Sequence, residues 1–177
     1  MIAELLASRI RDVPDYPKPG IVFKDITPLL ADPKAFRAMT GEFARLIREA
    51  RATKVVGLEA RGFILAAPAA VEAEVGFIPV RKAGKLPGAV HAVSYALEYG
   101  EATLEIHQDS FQPGDRVLIV DDVLATGGTA AAAVEAIRRC GAAPVGVAVL
   151  LELAFLAGRA RLTADSPELP VTALLTV

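Results

Sequence analysis

The sequence predicts an α/β domain, a mostly parallel sheet flanked by helices. Short β-branched apolar runs at 54–58, 77–81, 117–120 and 145–151 alternate with stretches whose apolar residues recur at helical spacing, the order expected of a sheet with helical crossovers. Helix punctuation falls between those runs, with Asp32-Pro33 as a start and Gly141 as a stop. A chain of 177 residues, 53% of them hydrophobic, has enough apolar surface for one core and is short for two, so one domain spanning 1–177 is expected.

In chain order, residues 1–11 carry charges through their apolar positions, which makes an amphipathic helix and not a secretory leader. Asp15-Tyr-Pro-Lys-Pro-Gly20 must turn or extend, and 21–27 then form a loop or small hood, the whole hood covering about 10–30. Phe36, Met39, Phe43, Leu46, Ile47 and Ala50 repeat on one face of the helix that begins at Asp32. Strand 54–58 leads to a helix at 62–74 and a strand at 77–81. A loop bearing glycines and a proline is expected at 82–94, followed by a hairpin of 95–98 and 102–107 turned at Gly100. The segment 82–107 reads as flexible loop and hairpin, with 84–94 as a mobile lid. Strand 117–120, helix 129–139, strand 145–151 and a strand-like end within 166–177 complete the domain.

Bulk properties exclude several classes of function. A net charge of −2 without a polybasic run offers no field for nucleic acid. The longest apolar stretch, 145–158, is interrupted by Glu152 and too short to span a bilayer, so no membrane partner and a cytoplasmic location are expected. The lone Cys140 at a helix end reads as a quiet thiol, and His91 and His107 are too isolated for a metal site. Neither a P-loop nor a dinucleotide glycine signature occurs.

The chemistry concentrates at 117–129, Val-Leu-Ile-Val-Asp-Asp-Val-Leu-Ala-Thr-Gly-Gly-Thr. Asp121 and Asp122 are expected to emerge at the carboxyl end of a buried strand, where open α/β sheets bind ligands. Ala125, Thr126, Gly127, Gly128 and Thr129 let backbone approach an anion at the start of a helix, whose N-terminus attracts phosphate. Two acids beside a phosphate loop repel an anion unless the ligand also carries hydroxyls or a divalent cation. A ribose 5-phosphate satisfies both halves: the loop takes the phosphate and the acids take the ribose hydroxyls. This run resembles the phosphoribosyl diphosphate (PRPP) motif of the type I phosphoribosyltransferases, which implies that family's fold, with a hood and a flexible loop over the site.

Further strings narrow the resemblance: Pro19-Gly-Ile-Val-Phe-Lys-Asp-Ile-Thr-Pro28, Glu59-Ala-Arg-Gly-Phe63, Arg81-Lys-Ala-Gly-Lys-Leu-Pro-Gly88, Leu97-Glu-Tyr-Gly100 and Gly158-Arg-Ala-Arg-Leu162. In this order they are similar to the adenine phosphoribosyltransferases over nearly the whole chain. The resemblance implies the reaction of adenine with PRPP to give AMP and diphosphate, with Mg2+ and as a homodimer. It also implies that Ala60, Arg61, Gly62 and Lys82 contact diphosphate, that Lys85 rides on a loop closing over it, and that backbone groups of Val22 and Lys24 read adenine. Glu98 falls in the segment bearing the family's proposed general acid or base, and Tyr99 either contacts ligand phosphate or stiffens the loop.

The residues suit this reaction on their own chemistry. Displacing diphosphate from the anomeric carbon develops positive charge on the ribose and negative charge on the leaving group, and Arg61, Lys82 and Lys85 at strand ends supply cations for the latter. Val123, with the segment 21–25, walls the base. Magnesium would bridge diphosphate and ribose oxygens while keeping waters near Asp121 and Asp122, with no direct protein ligand assigned. An exposed glutamate at a hairpin turn remains the other reading of Glu98. A phosphoribosyltransferase for a 6-oxopurine and a non-catalytic PRPP sensor remain as alternatives; the sensor would need a nucleic-acid-binding module for which the sequence has no room.

Overall fold

The structure of the protein, a computed structural model, describes residues 2–96 and 100–177. It opens with a short helix, α1 (Ile2–Ala7), followed by two hood strands, β1 (Arg11–Pro14) and β2 (Val22–Asp25). These pair antiparallel, with Arg11 opposite Asp25 and Pro14 opposite Val22. A two-stranded ribbon is marginal alone. Here it is fastened by ion pairs from Arg11 to Asp25 at 2.5 Å and from Lys24 to Asp12 at 2.7 Å. Asp25 also accepts from the Thr27 amide, and the hydrogen bonds from Thr27 and Arg11 hold its carboxyl down at about 2.

Helices α2 (Thr27–Ala31) and α3 (Pro33–Glu49) follow. Asp32 caps α3 by accepting from the Lys34 and Ala35 amides at 2.9 and 3.2 Å, with Pro33 in the first turn where its missing N–H costs nothing. The buried face of α3 centres on Ala35, Met39, Phe43, Ala44 and Ile47, whereas Phe36, Leu46 and Ala50 lie half-buried at its margin. The expected stripe is therefore present but rotated slightly toward the smaller residues.

The main sheet is built from β3 (Lys54–Leu58), β4 (Gly76–Lys82), β5 (Val90–Ala96), β6 (Glu101–His107), β7 (Arg116–Leu124), β8 (Ala143–Glu152) and β9 (Val171–Thr176) in the spatial order 5-6-4-3-7-8-9. Strands 4, 3, 7, 8 and 9 run parallel, and the β5–β6 hairpin adds antiparallel to the β4 edge. Helices α4 (Arg61–Ala73), α5 (Gly128–Arg139) and α6 (Gly158–Asp165) connect or flank the strands. Alternate residues of the central strands feed two cores. Val55, Leu118, Val120, Ala148 and Leu150 face α3 and α4, while Val56, Leu58, Ile119, Val147 and Val149 face α5 and α6. Each such fully buried Val, Leu or Ile side chain contributes about 1.5–3 kcal/mol of transfer free energy. Gly57 brings α4 close, since a Cβ there would lie 2.7 Å from the Phe77 ring and 2.9 Å from Ala66.

The first helix ends at Ala7, short of the expected 1–11, because Arg11 already belongs to β1, and two further boundaries that bear on the site differ from the sequence reading. Strand β7 continues past 120 to Leu124 because β8 goes on pairing with it, through Val123 to Leu151 and Leu124 to Glu152, after the β3 ladder stops at Val120. Asp121 and Asp122 thus lie within the strand, just beyond the end of β3. The 82–94 loop is also shorter than expected. Lys82 belongs to β4, and 90–94 belong to β5 and pair with β6, leaving 83–89 as the connection. Ala89-Val-His-Ala-Val-Ser lacks the clear apolar-polar alternation that marks a strand in sequence, yet Val93 is buried and the hydroxyls of Ser94 and Thr103 hydrogen-bond at 2.8 Å across the ladder. Among the described residues no helix is long and apolar enough to cross a membrane.

Candidate active site

The carboxyl ends of β3, β4 and β7 open under the hood into a cavity of about 540 Å³. Its floor is the turn from β3 into α4, with Glu59, Ala60 and Arg61, beside Asp121, Asp122 and Val123 of β7. Lys82 and Tyr95 line one side, Ala125 and Thr129 another, and Ile21, Val22, Phe23 and Lys24 form the roof. Ten of the sequence-predicted residues meet here: Val22, Lys24, Ala60, Arg61, Lys82, Asp121, Asp122, Val123, Ala125 and Thr129. Thr126, Gly127 and Gly128 line an adjoining crevice of about 70 Å³ beneath the loop. Glu98 and Tyr99 lie outside the described residues.

Arg61 joins roof to floor. Its Nε lies 2.8 Å from Asp122 Oδ2, and its guanidinium stands 5.0 Å from the centroid of the Phe23 ring. Asp122 is buried, and Oδ2 makes this ion contact without a well-aligned hydrogen bond. The Asp122 amide donates to Asp121 Oδ1 at 2.9 Å. Gly62 is required at this junction, since a Cβ would lie 2.9 Å from Asp121 Oδ1 and 3.0 Å from the Val120 carbonyl oxygen.

Burial and then the neighbouring Asp122 charge push the Asp121 carboxyl well above its ordinary range. From the unfolded value of 3.8 up to the raised folded value, the folded state binds more protons than the unfolded one, so this group removes stability as pH rises through that window. Asp121→Asn keeps the oxygen that the Asp122 amide reaches and removes the repulsion. It is expected to raise stability at pH 7 by about 1 kcal/mol or more, with the gain shrinking as pH falls toward 4. Thermal unfolding of both proteins across that range checks it; a lower melting point for the variant at pH 7 would contradict this electrostatic picture.

Close backbone contact shapes the phosphate-type loop. Gly127 sits at φ +80 as the residue before α5, and a Cβ on it would fall 2.7 Å from the Gly158 carbonyl oxygen. In return, a Cβ on Gly158 would come to 2.2 Å from the Ala125 carbonyl oxygen. Thr129 Oγ1 donates to the Tyr95 hydroxyl at 3.2 Å, linking the loop to the hairpin. Behind Gly158, Arg159 is ion-paired to the buried Glu152 at the end of β8, with Nη2 to Oε2 at 2.5 Å, which fixes the start of α6 against the loop.

Lys85 is absent from the cavity lining, but its Nζ lies 3.0 Å from Glu59 Oε1. Sequence reasoning gave no role to Glu59, Tyr95, Leu104, Leu153 or Gly158. Glu59 and Gly158 both begin strings that carried the family resemblance, and their positions there were the signal available.

Residues 25–166 match the family model described as a phosphoribosyl transferase domain. The adenine phosphoribosyltransferase of Streptomyces avermitilis is 65% identical over 176 residues, covering 99% of this chain and 97% of that protein. The chain belongs to the adenine phosphoribosyltransferase family. Crystal structures of the family superpose closely on it: the Rhodothermus marinus adenine phosphoribosyltransferase gives a TM-score of 0.91 at 50% identity, covering 99% of this chain and 98% of that one. The Saccharomyces cerevisiae adenine phosphoribosyltransferase, in complex with adenine and an imino-altritol bisphosphate, gives 0.91 at 38% identity with 98% of each chain covered. The hooded α/β fold is thus the type I phosphoribosyltransferase fold expected from the sequence.

Proposed function

We propose that the cavity binds PRPP along the strand ends and adenine beneath the hood. The chain transfers the 5-phosphoribosyl group of PRPP to N9 of adenine, giving AMP and diphosphate and returning free adenine to nucleotide by purine salvage. The observation that carries this reading is the convergence, in one cavity, of Ala125 and Thr129 of the glycine-threonine loop, the adjacent carboxylates Asp121 and Asp122, the cations Arg61 and Lys82, and the hood residues 21–24.

The 125–129 loop cradles the 5-phosphate with backbone amides and hydroxyls at the start of α5. Asp121 and Asp122 accept from the ribose hydroxyls and so hold the ring as its anomeric carbon gains oxocarbenium character. Arg61 and Lys82, with the Ala60-Arg61-Gly62 turn, face the departing diphosphate, and Lys85 reaches it from the 83–89 connection. Tyr99 adds a phosphate contact or stiffens the loop. Glu98 manages the proton on purine N7 while N9 attacks.

Adenine reading by backbone fits the hood. The Lys24 ammonium is held by Asp12, leaving its peptide as the recognition element. Pro14, opposite Val22, has no N–H, so that pair cannot exchange two hydrogen bonds. The full exchange alternates along an antiparallel ladder and falls to Val13–Phe23 and Arg11–Asp25, which leaves backbone groups of Val22 and Lys24 directed away from β1. An amide and a carbonyl there match the amine and ring nitrogen of adenine. Val22 is about half exposed, a large apolar side chain that a base would cover, and Val123 supplies the facing wall.

The donor set suits Mg2+. Asp121 and Asp122 offer hard oxygens, and among the described residues no three His, Cys, Asp or Glu side chains gather into a protein cage. When bound, the ion neutralises charge on the diphosphate and orients it. A cytoplasmic homodimer completes the reading, in which a second copy would cover apolar side chains such as Val71, exposed on α4. Purified protein supplied with PRPP, adenine and Mg2+ is expected to form AMP and diphosphate in equal amounts, and to stop on chelation and restart on Mg2+ addition. AMP formation undiminished by chelator would refute the metal-assisted mechanism, and absence of AMP under all conditions would refute the function.

A further inference from the structure

Glu59 has no part in the chemistry described above, yet it is buried beneath the cations assigned to the leaving group. Its own amide donates to the Val80 carbonyl oxygen at 3.0 Å, continuing the β3–β4 ladder past its last residue. Its side chain is only 8% exposed; Oε2 accepts from the Lys82 amide at 2.8 Å, and Oε1 from Lys85 Nζ at 3.0 Å. Arg81 Nε lies 3.4 Å from Oε2 without a well-aligned hydrogen bond of its own. Burial raises the Glu59 pKa, but the Lys82 amide, Lys85 and Arg81 outweigh it and hold the carboxyl below its ordinary range, so the group is an anion at neutral pH.

The geometry points to Glu59 as a positioning residue: before substrate arrives it holds Lys85 and the Lys82 peptide at the diphosphate turn, and it releases Lys85 to the diphosphate when PRPP binds. This rests on the assignment of Lys82 and Lys85 to diphosphate under the proposed function. Lys85 lies in the seven-residue connection 83–89, with Gly84 and Gly88 both at positive φ, and a lysine there unrestrained would sample many orientations. The pair with Glu59 removes most of that search by placing the ammonium beside the Ala60–Arg61 turn. The root of the connection is held a second time by Glu105, whose Oε2 accepts from the Gly84 amide at 2.9 Å. Departure of Lys85 does not strand the buried carboxylate, because the Lys82 amide stays bonded and Arg81 Nε is near enough to close on it.

A double-mutant cycle with Glu59→Gln and Lys85→Ala tests this. Glutamine keeps an oxygen for the Lys82 amide and loses the charge that holds Lys85, so the fold and the β4 end are retained. Glu59→Gln is expected to raise the KM for PRPP roughly five- to tenfold while changing the KM for adenine by less than about twofold. Lys85→Ala should raise the PRPP KM as well, and the double variant should be no worse than Lys85→Ala alone. An unchanged or lower PRPP KM for Glu59→Gln, or full additivity in the double variant, would overturn the inference while leaving the diphosphate assignment intact. An unaltered PRPP KM in Lys85→Ala would remove Lys85 from the diphosphate site and the inference with it.

Discussion

Gly158→Ala is expected to cripple the protein's use of PRPP although Gly158 does not line the cavity. A methyl group at that position would fall 2.2 Å from the Ala125 carbonyl oxygen and 3.0 Å from the Gly127 amide nitrogen, both backbone atoms of the 125–129 loop. Neither can move aside as a flexible side chain would, and Gly158 is itself held by the Arg159–Glu152 pair. The loop must therefore shift by the order of an ångström, and a displacement of that size costs about 10²-fold in kcat/KM when it misplaces the reacting group. Stability should fall as well, by about 1–3 kcal/mol. Gly141→Ala is the control for a methyl without a clash: Gly141 follows α5 at positive φ, which Gly158 does not have, but a Cβ there meets nothing within 4 Å. It should lose about 1 kcal/mol of stability with kcat/KM unchanged. Steady-state kinetics and thermal unfolding of both variants check the pair, and normal kcat/KM in Gly158→Ala would show that the loop is not held as described.

Glu98→Gln carries the other large expected effect. If the carboxyl manages the purine N7 proton in a closed, dry site, the amide cannot take its place, and turnover should drop on the order of 10² to 10⁴. The loss should appear in kcat, with substrate affinity little changed. An effect confined to KM would assign Glu98 a binding role and leave proton management to another group.

What was legible in the sequence was what the chain writes consecutively. The 125–129 loop belongs to a local strand-turn-helix unit, so the spacing of Asp121, Asp122, Gly127, Gly128 and Thr129 carries its geometry directly. Helix α3 was legible for the same reason, since Asp32-Pro33 and the apolar repeat are both local signals. The support for the loop was not legible. Gly158 meets Gly127 through the turn after β8, and nothing near Gly158 in sequence marks that approach. The extent of β7 likewise depends on its neighbours, for β8 and not β7 decides that pairing runs to Leu124. Glu59 was visible as the residue before Ala-Arg-Gly, but its value lies in Lys82 and Lys85, which reach it only after β4 has been laid beside β3. The stacking of Arg61 on Phe23 is another such meeting, between a strand-end turn and the hood folded over it.

On the proposed function, one cavity joins a PRPP site to a hood that reads adenine. The most direct test is diphosphate release by the purified protein with PRPP and Mg2+, given adenine, guanine, hypoxanthine or xanthine in parallel. Turnover with adenine alone is the predicted result. Turnover with a 6-oxopurine in preference to adenine would contradict the reading of adenine by the backbone of Val22 and Lys24, and release with none of the four would contradict the transfer itself.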